Sequence, residues 1–148
     1  MPIEERADSV AELSQWTDSI PFQYQYTAGV AGERFLRGLI DGRILAGYCP
    51  RCEEASLPAR IYCVKCYGEI TRYVRAGPAG RVAAITRKRG DEEGAQTFVY
   101  VEFKGVRGGM IHKLLGKGRA GSRVVPRFKP RRERTGSILD IQGFESIS

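Results

Sequence analysis

Cys49-Pro50-Arg51-Cys52, then ten residues, then Cys63-Val64-Lys65-Cys66: these two knuckles decide how the chain is read, and they hold all four of its cysteines. A C-x-x-C turn presents two sulfurs on one side. Two such turns brought together by a short hairpin close a tetrahedron of thiolates around one metal ion. The ten intervening residues are fewer than the spacing usual for such motifs. They suffice for two short strands and a turn, so the segment reads as a rubredoxin-like zinc ribbon.

Other uses of four cysteines fit less well. Disulfides belong to oxidising compartments, and no apolar leader for secretion is visible; a cytoplasmic location with reduced thiols is the expectation. A thioredoxin-like pair opens a helix beside a βαβ pattern, and neither pair is so placed. Iron in a rubredoxin-like S4 site uses the same ligand type, so zinc is preferred over iron without excluding it. Cys49, Cys52, Cys63 and Cys66 make a closed ligand set with no open coordination position. The metal is therefore expected to hold the fold and to do no chemistry.

Outward from the ribbon, charge divides the chain of 148 residues. Residues 1–33 carry a net −5, residues 34–103 a net +4, residues 104–134 a net +10 and the tail a net −2. The overall +7 thus belongs mainly to one segment. A concentrated positive surface favours an anionic partner, be it nucleic acid, a phosphorylated cofactor or an acidic protein, although a merely solubilising face has the same composition. No run approaches the length of a membrane span. The 18 glycines point to a turn-rich, β-leaning fold.

The sequence divides into an N-terminal helical arm (1–42), a zinc ribbon (43–76) and a barrel domain (77–148). In the arm, Ser9-Val10-Ala11-Glu12 has capping-box spacing, and Val10, Leu13 and Trp16 follow at helical intervals. Phe22, Tyr24 and Tyr26 then alternate in an extended stretch, as core or as partner surface. A second helix is predicted from about Ala31 to Ile40, with Phe35, Leu36, Leu39 and Ile40 on one face and Gly42 as its stop. Within the ribbon, Ile44–Tyr48 leads to the first knuckle and Leu57–Tyr62 to the second. Tyr67-Gly68 is read as the relaxed turn that closes the site. Ala76-Gly77-Pro78-Ala79-Gly80 reads as a hinge.

Five strand-like runs follow: Arg81–Lys88, Thr97–Lys104, Met110–Leu115, Ser122–Phe128 and Ser137–Phe144. Val99, Val101 and Phe103 alternate with Phe98, Tyr100 and Glu102, which is the period of a half-buried strand. Pro126 assigns the fourth run to an edge or a bulge. The expected fold is mainly β, with a helical arm, the ribbon and a five-stranded OB-fold barrel; an SH3-like barrel fits the strand count as well. Catalytic motifs are missing. His112 is a lone strand histidine, the cysteines are taken by the metal, and there is no nucleophile elbow, Walker loop or dinucleotide fingerprint. The chain reads as a binding or scaffolding module rather than an enzyme.

The order of arm, ribbon and barrel resembles the acyl-CoA-associated zinc-ribbon/OB-fold family, domain of unknown function 35. The resemblance is carried by Tyr26-Thr27-Ala28-Gly29-Val30-Ala31-Gly32-Glu33-Arg34-Phe35 and Leu39, by Leu57-Pro58-Ala59-Arg60-Ile61-Tyr62-Cys63, by Gly80-Arg81-Val82 with Thr86, and by Gly121-Ser122-Arg123-Val124. The chain departs from it at Lys104-Gly105, where many relatives carry an acid, and in the heavy Arg119–Arg134 run. The resemblance implies a non-catalytic subunit that completes a thiolase-fold enzyme in a hetero-oligomer. The enzyme would be of thiolase, hydroxymethylglutaryl-CoA synthase or aldolase-associated type, acting on acyl-CoA. Zinc is then a structural cofactor and CoA a ligand shared with the partner. Arg60, Arg127, Lys129, Arg131 and Arg132 are named from charge as contacts for the CoA phosphates. The competing reading is a nucleic-acid-binding zinc-ribbon/OB-fold protein, with Tyr100, Phe103 and Phe128 as stacking platforms.

Overall fold

Strand β1 (Leu45–Cys49) is the axis of the ribbon. The computed structural model describes residue 19 and residues 21–91 and 94–147. β1 pairs antiparallel on one side with β2 (Glu54–Ser56), which returns from the first knuckle. On the other side it pairs with β3 (Arg72–Arg75), which leaves the second. Ala46 and Cys49 face inward. The sequence expectation placed the returning strand at Leu57–Tyr62, one step too late. β2 is the pairing segment, and residues 57–62 run as an irregular connection with a cis Leu57–Pro58 bond. Their regular pairing ends in a single bridge, Tyr62 to Glu69.

The barrel consists of β4 (Gly80–Asp91), β5 (Gly94–Glu102), β7 (Gly109–Leu115), β8 (Arg123–Phe128) and β9 (Ile141–Ser146). It closes in the order β4-β5-β7-β9-β8. The long antiparallel β4–β5 hairpin continues into β7, and β7 runs parallel to β9. β8 pairs with β9 along most of its length but meets β4 only at Gly80–Val124 and Arg81–Arg123. Pro126, which has no N–H to give, lies beyond that short seam, and a bulge follows at Arg127–Phe128. The period of two is borne out: Val99, Val101 and Phe103 are buried.

The fifth expected run needs correction. It begins at Ile141, because residues 138–140 form a 3-10 turn held by a reciprocal capping box. Ser137 Oγ accepts from the Leu139 N–H, while the buried Asp140 carboxylate accepts the N–H groups of Thr135, Gly136 and Ser137. Burial pushes the Asp140 carboxyl upward, but those three N–H donors and the nearby Lys129 charge hold it below the usual carboxylate range. The motif was visible as Ser-x-x-Asp.

Helix α1 (Gly29–Ile40) matches the second predicted helix, starts two residues earlier and stops at Gly42, whose φ is +70°. It buries Ala31 and Leu39. The first predicted helix, with Trp16, lies outside the described residues. α1, ribbon and barrel share one apolar core, in which Leu39, Ile44, Ala46 and Leu57 join Val82, Val101, Val124 and Phe144. A short parallel pairing of β2 with β6 (Val106–Arg107) adds a backbone link, continued by the Leu57 N–H donating to the Arg107 carbonyl. Gly108 is required there, since a Cβ would stand 2.2 Å from the Leu57 carbonyl oxygen.

Candidate functional site: a four-cysteine metal centre

The two knuckles bring Cys49, Cys52, Cys63 and Cys66 together, with all four sulfurs within 4.8 Å of one another. Cys49 and Cys66 approach to 3.6 Å, and Cys52 and Cys63 to 3.8 Å. A tetrahedral zinc site with Zn–S bonds of about 2.3 Å requires sulfur–sulfur edges of about 3.8 Å, so the donor set fits. No disulfide joins them.

The local chain explains the convergence. In each knuckle the residue after the second cysteine turns left-handed: Glu53 has φ +52° and Tyr67 φ +55°. It is Tyr67, not Gly68, that supplies the left-handed turn. Gly68 serves by size, because a Cβ there would meet the Cys66 sulfur at 3.3 Å and Arg51 at 3.4 Å. The second knuckle is tied by the Cys63 N–H to the Gly68 carbonyl and the Tyr67 N–H to the Cys63 carbonyl, both 2.9 Å.

Backbone N–H groups of Cys66 and Lys65 point at the Cys63 sulfur and draw its thiol down to about 6. The Cys52 thiol is pushed up to about 12, first by its hydrogen bond to the Cys66 sulfur and then by burial. Four thiolates this close repel one another unless a cation sits among them. The chemistry of the cluster therefore asks for a metal.

The arginines and lysine named from charge have individual neighbours in the fold. Arg60 is exposed and lines a groove with Val30, Ile61 and Tyr62 between the start of α1 and the ribbon. Arg127 pairs with Glu145, Arg131 approaches Asp41 at 3.8 Å, and Arg132 approaches Glu133 at 3.5 Å. The Lys129 main chain is bound up in the capped turn, its carbonyl taking the Arg134 Nε–H at 2.7 Å. Arg134 itself is a structural residue that sequence reading missed. Its guanidinium donates to the Ile40 carbonyl at the end of α1 and lies over the Phe128 ring. The basic run is thus partly a clamp between helix and barrel. Of the aromatic platforms in the nucleic-acid reading, Phe103 is buried in the core and Phe128 is covered by Arg134.

Metal centre and closed barrel together define a zinc-ribbon/OB-barrel protein. Residues 38–71 match the family model described as ChsH2, rubredoxin-like zinc ribbon domain. Among solved structures, the chain is similar to a protein of unknown function from the DUF35 family of Sulfolobus solfataricus, with a TM-score of 0.60 and 28% identity, over 66% of this chain and 78% of that one. It is also similar in fold to a chain of the Ltp2-ChsH2(DUF35) aldolase, with a TM-score of 0.60 and 16% identity, over 76% of this chain and 91% of that one. No curated protein matches. These similarities support assignment of the chain to the DUF35 zinc-ribbon family, as its motifs had implied. No helix among the described residues is long and apolar enough to cross a membrane.

Proposed function

We propose that this chain is an accessory subunit that completes a thiolase-fold enzyme acting on acyl-CoA, with Cys49, Cys52, Cys63 and Cys66 holding one structural zinc ion. The family assignment supports a partner subunit, since one similar structure is a complex of a DUF35 protein with Ltp2. The observation on this chain that carries the reading is its apolar exposure around α1. Phe22, Tyr24 and Tyr26 are 71%, 67% and 87% exposed. Each leans on the next, with ring centroids 6.5 and 5.0 Å apart. Beyond them, exposed Val30, Ile61 and Tyr62 line the groove that also holds Arg60. Aromatic and aliphatic side chains left in water this way are characteristic of a surface that another protein covers.

In this reading the partner supplies the nucleophile and the acid–base groups, while this chain shapes and stabilises the assembly. Arg60, at the rim of the groove, and Arg127, Lys129, Arg131 and Arg132 are the proposed contacts for CoA phosphates. Exposed ion pairs such as Arg127–Glu145 are weak enough to be exchanged for a phosphate. The test is affinity purification of the tagged chain from its own cells, with assay of the eluate. A thiolase-fold subunit at fixed ratio, active only with this chain present, supports the proposal, and Tyr26→Asp with Val30→Asp should dissociate it while the isolated chain stays folded. Recovery of nucleic acid and no such enzyme would sink it.

A further inference from the structure

The ribbon sheet runs β3-β1-β2-β6, and its last strand is borrowed from the barrel. β6 lies in the connection between barrel strands β5 and β7, yet among the described residues its strand partner is β2 of the ribbon. Ala55 stands opposite Val106 and Ser56 opposite Arg107. The Leu57 N–H extends this pairing to the Arg107 carbonyl at 2.8 Å. Side chains add to it: the Glu54 carboxylate pairs with Lys65 of the second knuckle and lies 3.9 Å from the Arg107 guanidinium. The barrel does not need this connection to close, because β5 and β7 pair directly from Phe98–Lys113 to Glu102–Gly109.

The position of β2 is in turn set by the metal centre. Cys49 is the cross-strand partner of Glu54, and only the left-handed Glu53 separates Cys52 from the strand. Strands as short as β2 and β6 hold little by themselves, so whatever fixes the knuckles fixes the pairing. We infer that metal occupancy at the four cysteines controls the β5–β7 connection. With the knuckles closed on the ion, residues 104–108 are pinned into the ribbon sheet; with the knuckles open they are released while the barrel stays closed. The path runs mainly through the β2 backbone, since exposed ion pairs such as Glu54–Lys65 contribute little. Val106 packs against the shared core, so release means loss of the pairing rather than unfolding of the hairpin. Lys104 of this connection lines the open trough beside Gly80 and Arg81. A change at the metal is thereby expressed on the barrel surface. The inference rests on the cysteines holding a metal and is independent of the partner enzyme.

The test is hydrogen exchange of the full-length chain, zinc-loaded and again after a chelator has removed the zinc under reducing conditions. Amides of Leu57 and of residues 104–108 are expected to exchange about tenfold faster without zinc, while those of residues 110–114 are unchanged. Coupling is reciprocal, so breaking the junction from the barrel side must loosen the metal. Gly108→Ala, whose methyl group would stand 2.2 Å from the Leu57 carbonyl oxygen, is expected to weaken zinc about fivefold or more in competition with a chelator. Gly116→Ala is the control: it carries similar backbone strain, at φ +73°, but its Cβ meets open space, and zinc affinity should not change. Glu54→Gln keeps the strand pairing and should give a smaller loss. Circular dichroism checks the fold of each variant; should Gly108→Ala fail to fold, the exchange comparison on the unmodified chain decides alone. Equal exchange of residues 104–108 with and without zinc, opening of residues 110–114 together with them, or unchanged zinc affinity in a folded Gly108→Ala would each overturn the inference. A chain that binds no zinc would overturn it together with the structural-zinc reading.

Discussion

The knuckle end of the ribbon and the barrel are two answers to one problem. The barrel is held by apolar side chains: Val82, Val99, Val101, Val124, Ile141 and Phe144 are nearly or wholly removed from solvent. Burial on that scale is the dominant favourable term in folding. The knuckles have almost no such interior. Their cluster consists of Cys49, Cys63 and Ile70, with Cys52, Cys66 and Tyr73 half-buried against it. In the barrel the core and the surface that can bind ligands are different residues. In the knuckles the ligands are the core. The barrel is therefore expected to keep its shape without help, and the knuckles to need a metal to hold theirs.

The largest effect should come from removing the metal. The isolated chain is expected to bind one zinc ion, and Cys49→Ser or Cys63→Ser to abolish that stoichiometry, as read by native mass spectrometry. Hydrogen exchange should then show amides of residues 49–70 losing protection while those of Val99, Val101 and Val124 keep it. If the barrel amides open together with the knuckles, the two regions are one cooperative unit and the contrast fails. The shared core through Leu39, Ile44, Ala46 and Leu57 makes that a real contest.

A smaller effect, on the other side of the comparison, is expected at Phe144. Its ring is wholly buried and stands 6.4 Å from that of Phe103. Phe144→Ala should cost about 3–5 kcal/mol, measured by denaturant unfolding of the zinc-loaded protein. Where the variant remains folded, its zinc stoichiometry should be unchanged. Loss of the metal with the core would show that the barrel props up the knuckles rather than merely adjoining them.

The same contrast explains what could be read from the chain before its structure. Metal ligands are a few residue types at fixed spacing, so the four cysteines announced their site directly. The barrel strands showed through alternation, as with Val99, Val101 and Phe103. What stayed hidden depends on register and on distant partners. Nothing local in Arg81 or Arg123 says that they will face each other across the closing seam. Arg134 looked like one more charge in a basic run, yet it caps the carbonyl of Ile40, 94 positions away in sequence. The Asp140 turn was misread for another reason: its apolar neighbours Ile138 and Leu139 continue a strand-like pattern, and only the Ser137–Asp140 spacing argued otherwise. Both side chains point to solvent, at 41% and 66% exposure.

His112 provides the smallest and most local test, because it sits where the barrel surface meets that turn. Its Nε2 donates to the Ile138 carbonyl at 3.3 Å, and its ring meets that of Phe144 edge-on. With the hydrogen on Nε2, Nδ1 carries only a lone pair, and it is shielded from water with no partner among the described residues. Burial holds the imidazole below its ordinary range and the charge of Lys113 adds to this, while the Ile138 carbonyl opposes them. The folded state thus prefers the neutral ring. Below about pH 6.5 the unfolded chain takes up a proton that the folded chain refuses. The stability contributed is full above that pH and is lost as pH falls toward the lowered folded value. Thermal unfolding of the wild type and His112→Gln should therefore converge between pH 7 and pH 5, the variant showing the shallower slope. Parallel slopes would mean that the ring protonates freely in the folded barrel, and that the wall there is as open to water as the knuckles are without their metal.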